Sequence, residues 1–380
     1  MARDALTICV AHPNPKAGCE TFIRAHIERL PGRVHALYGG HMPLFEEGRR
    51  PLFEGADGPP GAYFSPAGRP ETALHARASE GVKRFLQTRH VDVVLAEYGP
   101  TGVALLHACR DAGVPLVVHF HGYDASIAST IEKYRQGYLR MFEYASAIIA
   151  VSGKMERDLA ALGAPGERLV QNVYGVDPDL FNGARPDAAR PVFVAVGRFV
   201  DKKAPHLTIL AFQKALEFTP DARLVMIGHG PLWESCSRMV HTLGLSDRVE
   251  LAGAKSHEEI MLAMRSARAF VQHSVMALSG DCEGTPVSVL EAMAAGLPVI
   301  GTRHAGIADV VLDGETGLLG DEGDVEAMAR FMVRLANEPQ TAAAMGQKGR
   351  ERVLENYAMK QRILALADVL YKAAREAGGK

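Results

Sequence analysis

The stretch DCEGTPVSVLEAMAAGLPVIGT, residues 281–302, places two carboxylates, Glu283 and Glu291, eight positions apart in an otherwise apolar segment. The strand-like run ARAFVQHS ends near Ser274, and a loop follows to Gly284. Thr285 and Pro286 then read as a helix start, with Thr285 as N-cap and Pro286 at the first helical position. On that helix Val287, Leu290, Ala294 and Leu297 share the buried face, which leaves Glu291 on a flank beside Ser288 and Ala295. Backbone N–H groups at a helix start favour an anion such as phosphate. Glu283 at their edge repels an anion unless it also accepts hydrogen bonds from hydroxyls. An anion flanked by hydroxyls describes a sugar nucleotide. The bland alternative makes Glu291 a solvated flank residue and Glu283 an ordinary loop acid.

Other chemistry-bearing residues are ambiguous when taken singly. Arg198 and Lys203 lie in GRFVDKK after the apolar run PVFVAVG, and alone they read as a charged surface loop. His121 follows PLVVHF, and a lone histidine there is usually structural. Asp124 orients its loop, meets an acceptor, or caps the helix expected from ASIASTIEKY. The segment GHGPLW at 228–233 lacks the third glycine of a dinucleotide fingerprint, which disfavours nicotinamide but leaves Gly228 able to admit a donor close to the backbone. DPD at 177–179 and DCE at 281–283 resemble metal-binding acid pairs only superficially, and P-loop, GxSxG and HExxH patterns are missing from the sequence. Arg24, His26, Arg29 and Arg33 form either a solvated helix face or a contact for anionic lipid.

These residues need a scaffold that gathers them at strand ends. A chain of 380 residues with 47% hydrophobic side chains is long enough for two cores. Short β-branched runs (LTICVAH, VDVVLAEY, PLVVHFHG, SAIIAVS, RLVQNVYG) alternate with helical segments at 20–30, 101–112 and 153–162, a rhythm of parallel strands covered on both faces. The Pro- and Gly-containing stretch at 176–191 interrupts it as a linker, and PVFVAVG, ARLVMIG, RVELAG, ARAFVQHS and LPVIGT restart it. The expected architecture is α/β, two doubly wound domains facing a cleft. A net charge of −2 gives no global basic field, so nucleic acid is not an expected partner. No run reaches the ~20 apolar residues of a membrane span, and the N-terminus lacks a signal-peptide layout, so a cytoplasmic location is expected. Five scattered cysteines without a CxxC pair suit reduced thiols, with no structural metal expected.

E283-GTPVSVL-E291 resembles the paired-glutamate signature of the retaining GT-B glycosyltransferases of family 4 (group 1). FHGYD at 120–124, YGVDPDLF at 174–181, GRFVDKKAP at 197–205, IGHGPLW at 227–233 and GETGLL at 314–319 extend the likeness over nearly the whole chain. CETFI at 19–23, AEYGPTG at 96–102 and SGDCEGTP at 279–286 look like the subgroup that builds bacterial exopolysaccharides of the colanic acid and amylovoran type. The sequence departs from that pattern at HPNPKAGCE, where Gly18 stands alone and Cys19 replaces the subgroup's usual serine. Tyr174 likewise stands where many members have asparagine.

The resemblance implies a GT-B fold of two Rossmann-like domains. Residues 1–183 would bind the acceptor and residues 184–356 the donor, with a C-terminal helix at about 357–380 free to pack back on the first domain. It assigns Glu291 to the donor ribose, Glu283 to the transferred sugar, and Arg198 and Lys203 to the diphosphate in place of a metal. Gly228, Gly284, Thr285 and Pro286 complete the donor side, and His121 would contact the transferred sugar near its anomeric carbon. Gly18, Glu20, Tyr98 and Asp124 fall on the acceptor side. No cofactor is implied, only a UDP- or GDP-linked sugar as co-substrate. The implied reaction is metal-independent hexosyl transfer, with retention, to a glycan or polyprenyl-linked acceptor in exopolysaccharide biosynthesis, and it leaves room for peripheral contact with the inner face of the membrane. The rival readings are a phosphorylase or disaccharide synthase, an epimerase, or a non-catalytic sugar-nucleotide-binding protein.

Overall fold

The computed structural model describes residues 6–14, 20–48, 50–56, 66 and 72–378. The chain divides into two compact units, Met1–Val173 with Gln361–Lys380, and Tyr174–Lys360. In the first unit the elements run β1 (Thr7–Ala11), α1 (Thr21–Arg29), β2 (Arg33–Tyr38), β3 (Phe45–Glu46), β4 (Arg50–Pro51), α2 (Ala73–Thr88), β5 (Val93–Glu97), α3 (Gly99–Ala112), β6 (Leu116–His119), α4 (Tyr123–Ser126), α5 (Ala128–Tyr144), β7 (Ala147–Ala150), α6 (Gly153–Ala161) and β8 (Leu169–Gln171). The second continues with β9 (Val192–Val196), α7 (Pro205–Leu216), β10 (Arg223–Ile227), α8 (Trp233–Thr242), β11 (Val249–Gly253), α9 (His257–Arg265), β12 (Ala269–Val271), α10 (Val287–Ala295), β13 (Val299–Thr302), α11 (Ala305–Val310), β14 (Gly317–Gly320), α12 (Val325–Asn337) and α13 (Pro339–Asn356), and α14 (Met359–Gly378) follows.

Each unit is built on its own sheet, in the order β4-β3-β2-β1-β5-β6-β7-β8 and β11-β10-β9-β12-β13-β14. All pairs are parallel except β2 with β3 and β3 with β4, which add an antiparallel edge to the first sheet. The α/β, two-sheet architecture expected from the sequence is therefore the one observed. The physical reason is legible in β5, where all five residues are buried because helices cover both faces of an interior parallel strand. The order in which strands are added reverses between β1 and β5 in one sheet and between β9 and β12 in the other, while the strands themselves stay parallel. Such switch points open a crevice at strand carboxyl ends, where α/β proteins hold ligands.

The second unit's core joins Phe193 and Met226 from its sheet to Ile209 and Phe212 of α7 and Met328 and Met332 of α12. Residues 174–183, read from the sequence with the first domain, lie in the second unit. Hydrogen bonds explain it: Val176 N–H donates to Tyr357 O at 3.0 Å and Met359 N–H to Val176 O at 2.8 Å, while the Arg350 guanidinium donates to Pro178 O at 3.1 Å and Phe181 O at 3.0 Å. Of α14, Ile363, Leu366, Ala367 and Leu370 are buried, and Asn172 donates to Arg362 O at 3.3 Å within the first unit. Among the described residues no helix is long and apolar enough to cross a membrane.

Candidate active site

In the second unit the charged residues singled out from sequence gather at the β9–β12 switch. Arg198 is exposed just beyond β9, and Lys203 ends a short 3-10 helix, Asp201–Lys203, on the same connection. The Lys203 ammonium reaches Glu283 Oε1 at 3.1 Å and Gln272 Oε1 at 3.1 Å. Ser288, in the first turn of α10, donates to that same Gln272 oxygen at 3.3 Å. Burial pulls the Lys203 ammonium below its usual range, with Glu283 opposing. Burial pushes the Glu283 carboxyl up, but the charge and hydrogen bond of Lys203, with Lys202 and His304 adding to them, together outweigh it and hold the group below the usual carboxylate range. The ammonium and the carboxylate thus meet in one buried spot at the switch. A small cavity of about 30 Å³ beside them is lined by Gly197, Arg198, Lys203, Thr208, Ile227 and Gln272.

The helix that carries Glu291 starts one residue later than its sequence suggests. Pro286 is the N-cap of α10, not its first helical residue, and its backbone angles are extended. Thr285 is buried and precedes the cap. Seven residues of α10 are buried, Glu291 among them, which contradicts the solvated-flank alternative. Its carboxylate lies 3.3 Å from His257 Nε2 at the start of α9, and that hydrogen bond raises the His257 imidazole above its ordinary value. Gly284 is buried, and its carbonyl accepts from Gly306 N–H at 2.9 Å. Gly228 has φ +136, and a Cβ there would meet Gly197 O at 1.9 Å, so the close approach that demands glycine is to the chain's own backbone.

The first unit holds a second constellation at its own switch point. Glu97 ends β5 with no exposure. One of its oxygens lies 2.6 Å from His26 Nδ1 and the other 2.7 Å from His121 Nε2. His119 stacks on His26 with ring centroids 5.3 Å apart. Burial opposes charge on Glu97, yet the two imidazoles outweigh it and hold the carboxyl well below its usual range. Ligand atoms of His26, Glu97 and His119 lie within 4.8 Å of one another, close enough for a metal ion. The short imidazole–carboxylate distances already satisfy the carboxylate through hydrogen bonds. His26 is therefore interior and does not belong to a solvated or lipid-facing stripe, although Arg24 does reach solvent, paired with Glu28.

Asp124 is fully buried and accepts from Gly99 N–H at 2.9 Å, His121 N–H at 3.0 Å and Gly122 N–H at 2.9 Å. Three backbone donors on one carboxylate tie the FHGYD loop to the start of α3, so Asp124 orients that loop. It caps no following helix. Tyr98 has φ +75, a strained value outside glycine, and its hydroxyl donates to Glu20. Gly18 lies outside the described residues.

From sequence, His26 is placed on a helix face and Glu97 only at the edge of an acceptor-side loop, and Lys202 and His304 are missed. The signal for Glu97 was an acid ending an otherwise apolar strand. Lys202 was overlooked beside Lys203, yet its ammonium holds Asp281 Oδ1 at 2.9 Å and Cys282 O at 3.1 Å.

Residues 177–352 match the model of Glycosyl transferases group 1, and residues 17–180 that of Glycosyltransferase Family 4. The chain is 30% identical over 288 residues to the amylovoran biosynthesis glycosyltransferase AmsK of Erwinia amylovora, covering 74% of this chain and 70% of that one. It is 31% identical over 314 residues, 79% of this chain and 81% of the other, to a GDP-mannose-dependent alpha-(1-6)-phosphatidylinositol monomannoside mannosyltransferase of Mycolicibacterium smegmatis. The fold is similar to that of HepE of Anabaena in complex with UDP, with a TM-score of 0.76, 19% identity, and coverage of 97% and 100% of the two chains.

Proposed function

Because the chain belongs to the group 1, family 4 glycosyltransferases, we propose that it moves a hexose from a UDP- or GDP-linked donor to a hydroxyl of a glycan or lipid-linked acceptor. Transfer would retain anomeric configuration, in the assembly of an exopolysaccharide or another cell-surface polysaccharide. The observation that carries this reading is the Lys203–Glu283 pair, 3.1 Å apart at the β9–β12 switch, with Arg198 beside it. A basic and an acidic side chain paired in a buried crevice suit a ligand with a diphosphate at one end and sugar hydroxyls at the other. Lys203 and Arg198 offset the charge that grows on the departing diphosphate, which is electrostatic stabilisation without a metal. Glu283 accepts from hydroxyls of the transferred sugar and Glu291 from those of the ribose. In the first unit Glu97 fixes the His121 ring. Retention then follows from attack on the same face as the leaving diphosphate, whose oxygen takes the acceptor's proton. The amylovoran relative supports the pathway class, and a relative that uses GDP-mannose and a neighbour bound to UDP support the two donor classes.

Thermal-shift screening against UDP, GDP, ADP and their sugars tests the donor, since a ligand at a hundredfold excess over its dissociation constant stabilises by about 2.7 kcal/mol. Absence of any shift with all three series, together with no sugar transfer to lipid-linked acceptors, would sink the reading.

A further inference from the structure

His304 lies just after β13, outside the donor signature, and its side chain is 1% exposed. The turn that carries it, with Ala305 at φ +40, is laid directly on the signature loop. Glu283 N–H donates to His304 Nε2 at 3.1 Å, and Gly306 N–H donates to Gly284 O at 2.9 Å. A Cβ on Gly306 would come within 2.1 Å of Gly284 O, so the two loops touch backbone to backbone.

A main-chain N–H can only donate, so Nε2 of His304 must carry a lone pair and the ring proton must sit on Nδ1. That nitrogen is 2.6 Å from Glu322 Oε1, and the other Glu322 oxygen accepts Met276 N–H at 2.8 Å. Burial raises the Glu322 carboxyl, but the hydrogen bonds from His304 and Met276 outweigh it and keep the group below its usual range. Glu322 therefore holds both ends of the loop after β12: Met276 directly and Glu283 through the imidazole. Lys202 grips the same loop from another side, at Asp281 and Cys282.

We infer that His304, kept in its Nδ1-protonated form by Glu322, is a positioning residue for sugar transfer that fixes the backbone at Glu283 and so aims its carboxylate. The inference rests on the reading of Glu283 as the group that holds the transferred sugar. His304 itself touches no substrate. A misplacement of about 1 Å at a reacting centre costs up to roughly a hundredfold in rate. Fixing the N–H of the very residue that meets the sugar is thus worth more to turnover than to nucleotide affinity.

The test uses the full chain and the sugar nucleotide selected by the thermal-shift screen, with release of nucleoside diphosphate as the rate and calorimetry with the nucleoside diphosphate as the affinity. His304→Ala is expected to lower kcat by about tenfold or more, with nucleotide Kd within about twofold of the parent. His304→Gln, whose side-chain carbonyl can accept the Glu283 N–H, should recover kcat to within about threefold. Glu322→Ala, at a partly exposed position, should lower kcat by several-fold at unchanged Kd. A folded His304→Ala that keeps its kcat while Glu283→Ala loses it overturns the inference and leaves the reading of Glu283 standing. If neither change affects kcat, both fall. Should His304→Ala not fold, Glu322→Ala decides, and turnover within about twofold of the parent overturns the inference.

Discussion

The hydroxyl of Tyr98 donates to Glu20 at 2.6 Å across 78 positions of sequence, and Asn14 donates to both oxygens of the same carboxylate at 2.8 Å. The pair ties the start of α1 to the strained turn after β5. Neither residue belongs to the unit that carries Lys203 and Glu283.

The first expectation follows from that pairing. Glu20→Ala and Tyr98→Ala should each raise the acceptor KM while leaving nucleotide affinity within about twofold, inside the ~0.5 kcal/mol scatter of neutral changes. Because the two groups bond each other, the double variant should lose less than the sum of the single losses. Calorimetry beside acceptor kinetics decides, and tenfold weaker nucleotide binding in either single variant would remove the acceptor from this unit.

Glu283 and Glu291 should separate kinetically. Loss of a hydrogen bond to a charged group costs about 1.5–3 kcal/mol, or roughly 10- to 150-fold, and Glu291→Ala should show this as weaker donor binding. Glu283→Ala should appear in kcat, through misplaced sugar. Equal and mild effects on both parameters would reject the assignment.

Metal removal should be tolerated. With Lys203 and Arg198 as the diphosphate's counter-charge, transfer should survive EDTA with little loss, whereas Lys203→Ala should cost about tenfold or more. Activity that vanishes in EDTA and returns only with magnesium or manganese would mean the leaving group is stabilised by other means.

Glu97 should govern acid sensitivity in the first unit. A carboxyl held well below its unfolded value stabilises the fold above that value, ordinarily 4.5, and the contribution is lost as pH falls toward the depressed one. Glu97→Ala should therefore lower stability by about 3–5 kcal/mol near neutral pH, since it strips a buried pair of one partner. It should also flatten the acid limb of a denaturation profile. A variant as stable as the parent at pH 7 would show that the His26 and His121 contacts contribute little.

Much of this arrangement could be read before folding because its chemistry sits at strand ends. Arg198, Lys203 and Glu283 follow apolar runs that end where parallel strands end, so pattern and position coincide. Hidden residues had no such marker. His26 shares a helix with Arg24 and Arg29 and looks like one stripe, but the face that carries Ile23 and His26 turns inward and packs it on Glu97. His304 meets Glu283 only because β12 and β13 are neighbours in the sheet. The helix start slipped by one residue because Pro286, extended in backbone, serves as cap.

The crossing of the chain between its two units, once at 173–174 and again at 360–361, has a consequence for synthesis. The second unit is contiguous and can complete its core as soon as residue 360 has left the ribosome. The first unit is complete only when Ile363, Leu366 and Leu370 of α14 arrive to be buried. Stalled chains ending near residue 355 should be open to protease in the first unit and lose that sensitivity once residues 361–378 are exposed; equal protection at both lengths would show that α14 is dispensable.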